Sequence, residues 1–355
     1  MLAELLEMAV ERREDLINKI RSLRVREDTV KRLWIPYTPK PLEGTVVCGV
    51  DGSVNFKEFK GFSIFALSAE AVMLDGETVE KVKLCDLDIL YPYFRTRERV
   101  RVYMLIAETL VALRACEKAD MILLDGSIIS NIARHATRSL SLIREVFNDS
   151  MLVRLLEDEE FNVRDLTDYL SSKGEFSENY ILCIELLKYI MLFKKLIRKG
   201  KGKLISIAKT SQSTLHFKGP KPDIAVFERL TRATGFSKPV VRRLSDILTA
   251  MRSKLPNFLE NFFKDVEMTT FYFRIAEGGP VLKAEVPTRL SLRDIERLLD
   301  IISAYSVMGY PYPLKKAHAD SDIRDQDMEC ILRVLSLYGE RTGREQHEVA
   351  IRRWY

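Results

Sequence analysis

The chain has no CxxC pair, no uninterrupted apolar stretch of membrane-spanning length and no low-complexity or repeated segment. It holds only four histidines, and its five cysteines (Cys48, Cys85, Cys116, Cys183 and Cys330) are scattered and odd in number. That pattern excludes a zinc knuckle and argues against a disulfide framework, leaving buried free thiols in a reducing cytoplasm as the expectation. The first residues, MLAELLEMAVERREDL, mix acids and bases, so they read as neither signal peptide nor membrane span. A Gly-rich phosphate loop is also missing, Glu277-Gly278-Gly279 being the nearest approach to one.

What is present is the composition of a globular protein: 355 residues, 46% hydrophobic and 30% charged, enough to bury a sizeable core. A net charge of +5 is compatible with a polyanionic partner without demonstrating one. The abundance of Lys, Arg and Glu would suit a thermophile.

Two apolar runs lead into the same tripeptide. Thr45–Val50 runs into Asp51-Gly52-Ser53, and Met121–Leu124 into Asp125-Gly126-Ser127. Short continuous apolar runs bounded by Gly are expected of buried strands. An acid at the end of such a strand lies at the rim where ligands of α/β folds gather. A turn cap is the ordinary reading of one Asp-Gly, but two matched sites point to a metal held between neighbouring strands.

The coarse pattern is one charged amphipathic helix over about 1–33, a proline-rich break, then the first strand. Strands at about 61–74 and 78–86 flank an Asp75-Gly76 turn. A helix over about 96–118 precedes the Met121 strand. Residues 137–200 are helical and read as an insertion, followed by the strand Leu204–Ala208. The segment 221–265 reads as helical and irregular, and strands at about 269–276 and 281–286 flank Glu277-Gly278-Gly279-Pro280. A helix over about 291–307, a Pro- and Tyr-rich loop and a helix over about 322–338 follow. The expected fold class is α/β, a ribonuclease H-like mixed sheet flanked by helices with a helical insertion. The expected domains are an amino-terminal helix and linker (1–40) and one main domain (41–355).

Glu108 strengthens the acidic set. Its helical neighbours Met104, Leu105, Val111 and Ala112 are apolar, and no cation on its helix can pair with it. A carboxylate in an apolar stripe is costly unless something cationic meets it; snorkelling to water is the ordinary alternative. Three carboxylates suit Mg²⁺ or Mn²⁺ better than zinc. His318, in the segment Gly309-Tyr310-Pro311-Tyr312-Pro313-Leu314-Lys315-Lys316-Ala317-His318, could bind metal or carry a proton. Tyr310 could orient a phosphate or stack on a base. Lys209, Ser53, Ser127 and Thr210 are second-rank candidates for phosphate contacts. Basic runs at 95–101, 194–203, 218–221 and Arg242-Arg243 could track a nucleic-acid backbone.

GVDGS, Glu108, LLDGS, the strand ending in Lys209 and GYPYPLKKAHADSDI, in this order, resemble the NurA nuclease family from about Val47 to Asp322. The resemblance implies a ribonuclease H-like, Mn²⁺-dependent DNA nuclease (Mg²⁺ being an alternative ion). It further implies 5′-to-3′ exonuclease and single-strand endonuclease activity in DNA double-strand-break end resection. Homodimerisation and a hexameric HerA-type translocase partner are implied as well. Carried over by position, Asp51, Glu108 and Asp125 match the family acids, and Tyr310 and His318 match its carboxy-terminal motif. His318 would join the acids as a ligand, Lys209, Ser53, Ser127 and Tyr312 would touch nucleic acid, and Tyr312 is the alternative to Tyr310. The rival readings are an actin-like or sugar-kinase-like ATPase and a non-catalytic DNA-binding scaffold. The tail Ile351–Tyr355 and the first helix are candidate contacts for a second copy or the translocase.

Overall fold

The computed structural model describes residues 2–22, 27–76, 78–135, 146, 148, 150–160, 163–172, 174, 177–251, 260, 261 and 263–337; the tail 351–355 lies outside them. Along the chain the strands are β1 (Trp34–Pro36), β2 (Val47–Glu58), β3 (Ser63–Asp75), β4 (Thr78–Ile89), β5 (Met121–Asp125) and β6 (Leu204–Ala208). They continue as β7 (Gly235–Ser237), β8 (Val240–Arg243), β9 (Glu267–Arg274), β10 (Leu282–Val286), β11 (Ser306–Val307) and β12 (Tyr310–Pro311).

One mixed sheet runs in the order β1-β7-β9-β10-β6-β5-β2-β3-β4, with β8 on β9. Strands β2, β3 and β4 form an antiparallel meander, while β5 and β6 lie parallel to β2. The stretch β4-β3-β2-β5-β6 therefore has the ribonuclease H-like order expected from the sequence, extended by β10, β9, β7 and β1. The continuous apolar character of Val47–Val50 follows from position, because β2 is covered on both faces. The helix Thr96–Ala115 packs on one face and the helix Tyr312–Ser321 on the other. Edge strand β4 alternates exposed and half-buried residues instead.

The helix Glu178–Lys199 precedes β6 and packs on Thr96–Ala115. The Ser177 hydroxyl accepts from the Tyr180 amide at its start, and Gly200 ends it, as helix termini favour. A buried group joins the two helices: Arg99 Nη2 lies 2.7 Å from Glu185 Oε1, which also accepts from the Tyr103 hydroxyl at 2.6 Å.

Four expectations are revised. The described residues among 1–33 form three helices (Leu2–Glu11, Arg13–Ser22 and Glu27–Leu33). The segment 221–265 contains strands β7 and β8 between the helices Asp223–Leu230 and Leu244–Met251. Asp51-Gly52-Ser53 is not a strand end, because β2 runs on to Glu58 through its pairing with β3. The Pro- and Tyr-rich loop is largely a helix, Pro311 and Pro313 lying at its start where proline costs no intrahelical bond.

Candidate metal centre

Asp51 stands on β2 immediately after the last pair with β5, Val50–Leu124, and Asp125 is the final residue of β5. Parallel pairing thus sets the two Asp-Gly-Ser segments side by side. Two glycines then let helices close on the strand. A Cβ on Gly52 would lie 2.9 Å from Glu108 Oε1, so glycine leaves room for the Glu108 side chain of the helix Thr96–Ala115 to lie against β2. A Cβ on Gly49 would overlap the backbone of Pro313, so glycine also seats the helix Tyr312–Ser321.

That second helix delivers His318, whose Nδ1 is 2.7 Å from Asp51 Oδ2. The other oxygen of Asp51 accepts from the Gly52 amide at 2.9 Å. One donor atom each from Asp51, Asp125 and His318 lies within 4.8 Å of the other two. Two carboxylates and an imidazole fit a divalent cation that takes oxygen and nitrogen ligands. Glu108 faces the group from the opposite helix.

The electrostatics favour a cation. Burial, then the charge of Asp125, raises the Asp51 carboxyl above its usual range, partly offset by the Gly52 amide and His318. Burial, then Asp51 and Asp125, pushes Glu108 well above the ordinary range. Like charges brought this close destabilise one another until a proton or a metal intervenes. Among the described residues Asp125 pairs with Lys209, at 3.2 Å. Lys209 Nζ in turn lies 4.7 Å from the centre of the Tyr310 ring, within cation–π range. The Tyr310 hydroxyl is buried and has no hydrogen-bond partner among the described residues. Burial and the same two aspartates hold it strongly protonated.

Asp51, Asp125 and His318 thus converge, with Glu108, Lys209 and Tyr310 around them. Tyr312 is exposed at the helix start, outside the cluster. Ser53 Oγ accepts from the Ile323 amide and Ser127 Oγ donates to Glu285, so both hydroxyls brace the scaffold. Thr210 follows Lys209 in an exposed, irregular segment. His318 sits on a helix, contrary to the expected loop.

Two acids escaped the sequence reading. Glu70, buried on β3 directly opposite Asp51, lies 3.2 Å from Lys81, which also holds Asp320 at 2.5 Å. Glu285, buried on β10, accepts from Ser127 Oγ, the Ile129 amide and Lys283. In each case the signal was an acid inside an apolar run, SAEAV and KAEV.

With this geometry in hand, the comparisons with known proteins are consistent. A family model described as the NurA domain matches residues 45–323. The DNA double-strand break repair nuclease NurA of Sulfurisphaera tokodaii is 27% identical over 344 residues, spanning 95% of this chain and 96% of that protein. The probable DNA double-strand break repair nuclease NurA of Methanocaldococcus jannaschii is 26% identical over 354 residues, spanning 94% of this chain and 89% of that protein. The crystal structure of the NurA nuclease from Sulfolobus solfataricus superposes with a TM-score of 0.80 at 23% identity, covering 95% of this chain and 97% of the other. A NurA crystal structure bound to dAMP and manganese superposes with a TM-score of 0.66 at 18% identity, covering 93% and 97%. Because the family model spans β2 through the helix that bears His318, the chain belongs to the NurA domain family.

Proposed function

We propose that this chain is a metal-dependent deoxyribonuclease that hydrolyses phosphodiester bonds in the repair of DNA double-strand breaks. The observation that carries it is the convergence of Asp51, Asp125 and His318 within 4.8 Å, with Glu108 facing them. The relatives' names, DNA double-strand break repair nuclease, support the substrate. Manganese is the ion named in a crystal structure of similar fold, and Mn²⁺ is the proposed cofactor, with Mg²⁺ as the alternative.

Asp51, Asp125 and His318 would hold the ion, and Glu108 would complete or extend the ligand set. When bound, such an ion would supply Lewis-acid activation of water and charge neutralisation at the scissile phosphate. Residues of the chain supply the remaining parts. Lys209, shared between Asp125 and the face of Tyr310, presents a cation to a phosphate oxygen. The Tyr310 hydroxyl, protonated and unpartnered, is a donor for the strand. His318 Nε2, on the side of the ring away from Asp51, can pass a proton to solvent. Family membership supports the finer assignments: 5′-to-3′ exonuclease and single-strand endonuclease activity, a homodimer, and a HerA-type hexameric translocase partner.

An actin-like ATPase would use Asp-Gly-Ser as a phosphate-cradling turn. Here Asp51-Gly52-Ser53 lies within a twelve-residue strand, so the first of the two segments does not form such a turn. The deciding experiment is cleavage of single-stranded DNA with Mn²⁺ by the wild type and Asp51→Asn. Loss of cleavage with retained fold is expected; wild-type cleavage by the variant would overturn the assignment.

A further inference from the structure

Beyond the acids, on the sheet face that also carries Ser206 and Glu285, lies a cavity of about 400 Å³. Strands β8, β9 and β10 form its floor with Val240, Arg242, Thr270 and Lys283, and Ser130 and Thr214 are among its polar walls. No acidic side chain is among the described residues that line it. Its lining is tied to the centre through the chain: Ser127 Oγ, two residues past Asp125, lies 3.0 Å from the Ser130 hydroxyl in the wall, and Ser211, two residues past Lys209, is part of the wall.

Its two cations are not equivalent. Lys283 Nζ lies 2.5 Å from Glu285 Oε1, and both are almost fully buried, so that charge is matched inside the protein. Arg242 is half-buried and has no ion-pair or hydrogen-bond partner among the described residues. A guanidinium partly withdrawn from water without a carboxylate is costly unless an anion reaches it, and its planar fork suits a phosphate. Hydroxyls around it add neutral donors, and Ile129, Val240 and Ile247 give an apolar side for a ring. The volume is at the lower end of small-ligand sites, the size of one nucleotide rather than a duplex.

We propose that this cavity is a nucleotide subsite, holding one unit of a DNA strand next to the unit under attack, with its phosphate on Arg242. The proposal rests on the nuclease reading, so its test must separate the two. Arg242→Gln, Arg242→Lys and Thr214→Val would be compared with the wild type by steady-state cleavage of a single-stranded oligonucleotide with Mn²⁺. The same proteins would be titrated with the labelled oligonucleotide over a salt series, Ca²⁺ replacing Mn²⁺. Thermal denaturation would verify folding.

The expected result for Arg242→Gln is a KM raised about tenfold with kcat within about twofold, as loss of one charge-assisted contact predicts. The slope of log affinity against log salt should shrink by about 0.7, one phosphate contact for single strands. Arg242→Lys should restore most of the salt slope and only part of the affinity, and Thr214→Val should weaken binding by a smaller factor. Unchanged KM, affinity and salt slope in Arg242→Gln overturn the subsite. If Asp51→Asn still abolishes cleavage in that case, the nuclease reading stands alone. If Asp51→Asn cleaves normally, that reading falls and the binding titration still decides the subsite.

Discussion

Gly49 on β2 and Pro313 at the start of the helix that carries His318 meet backbone to backbone, with no room for a methyl group between them. That contact sets how near His318 comes to Asp51. Gly49→Ala is expected to lift the helix, costing about 1–3 kcal/mol as overpacked sites do, and to weaken Mn²⁺ binding. Denaturant unfolding and calorimetric Mn²⁺ titration check both effects. Wild-type values in the two measurements would show that the helix yields without moving the imidazole.

Asp51→Asn should act in opposite senses on the metal-free and metal-loaded protein. Without metal, removing one of three crowded acids relieves repulsion by about 1 kcal/mol, and the melting temperature should rise by about 1–2 °C. With Mn²⁺, the stabilisation expected of the wild type should vanish in the variant. A variant that still gains stability on adding Mn²⁺ would remove Asp51 from the ligand set.

The pH dependence follows from the raised carboxyls of Asp51 and Glu108. A native pKa above the unfolded one means the folded state binds the proton more tightly. Metal-free stability therefore falls as pH rises from the ordinary carboxylate range through the elevated native values. Mn²⁺ competes with the same protons, so its affinity rises across that window. The Mn²⁺-induced rise in melting temperature should be larger at about pH 8 than at about pH 5; a pH-independent shift would contradict it.

Tyr310→Phe separates packing from chemistry. The hydroxyl has no partner among the described residues, so its loss should be neutral or stabilising by up to about 1 kcal/mol. The ring face under Lys209 is kept. Under the nuclease reading kcat should drop while stability holds; unchanged kcat would make Tyr310 a packing residue.

Away from the centre, Arg99 and Glu185 are a fully buried pair. Arg99→Met alone should cost about 3–5 kcal/mol by stranding the carboxylate, and Arg99→Met with Glu185→Leu should recover much of it. Urea unfolding of the two variants provides the comparison.

Much of the sheet was legible because its central strands are buried on both faces and announce themselves as unbroken apolar runs. That reading set Asp51 beside Asp125 and drew notice to Glu108 among apolar neighbours. Local turn chemistry misled at Gly52, where twelve paired positions along β3 override the preference of Asp-Gly for a bend. Strands β7 and β8, of three and four residues, are too short to show a period and exist because β9 offers them an edge. Pro311 and Pro313 read as loop, although a helix's first turn tolerates them. Glu70 and Glu285 were passed over because their partners, Lys81 and Lys283, become neighbours only through strand pairing or alternation.

His318 follows the aspartate it touches by 267 positions, and the helix bearing it docks on a strand made long before. During synthesis the acids emerge early and wait for their imidazole until most of the polypeptide exists. A chain that stops short of position 318 therefore owns the carboxylates without the completed centre.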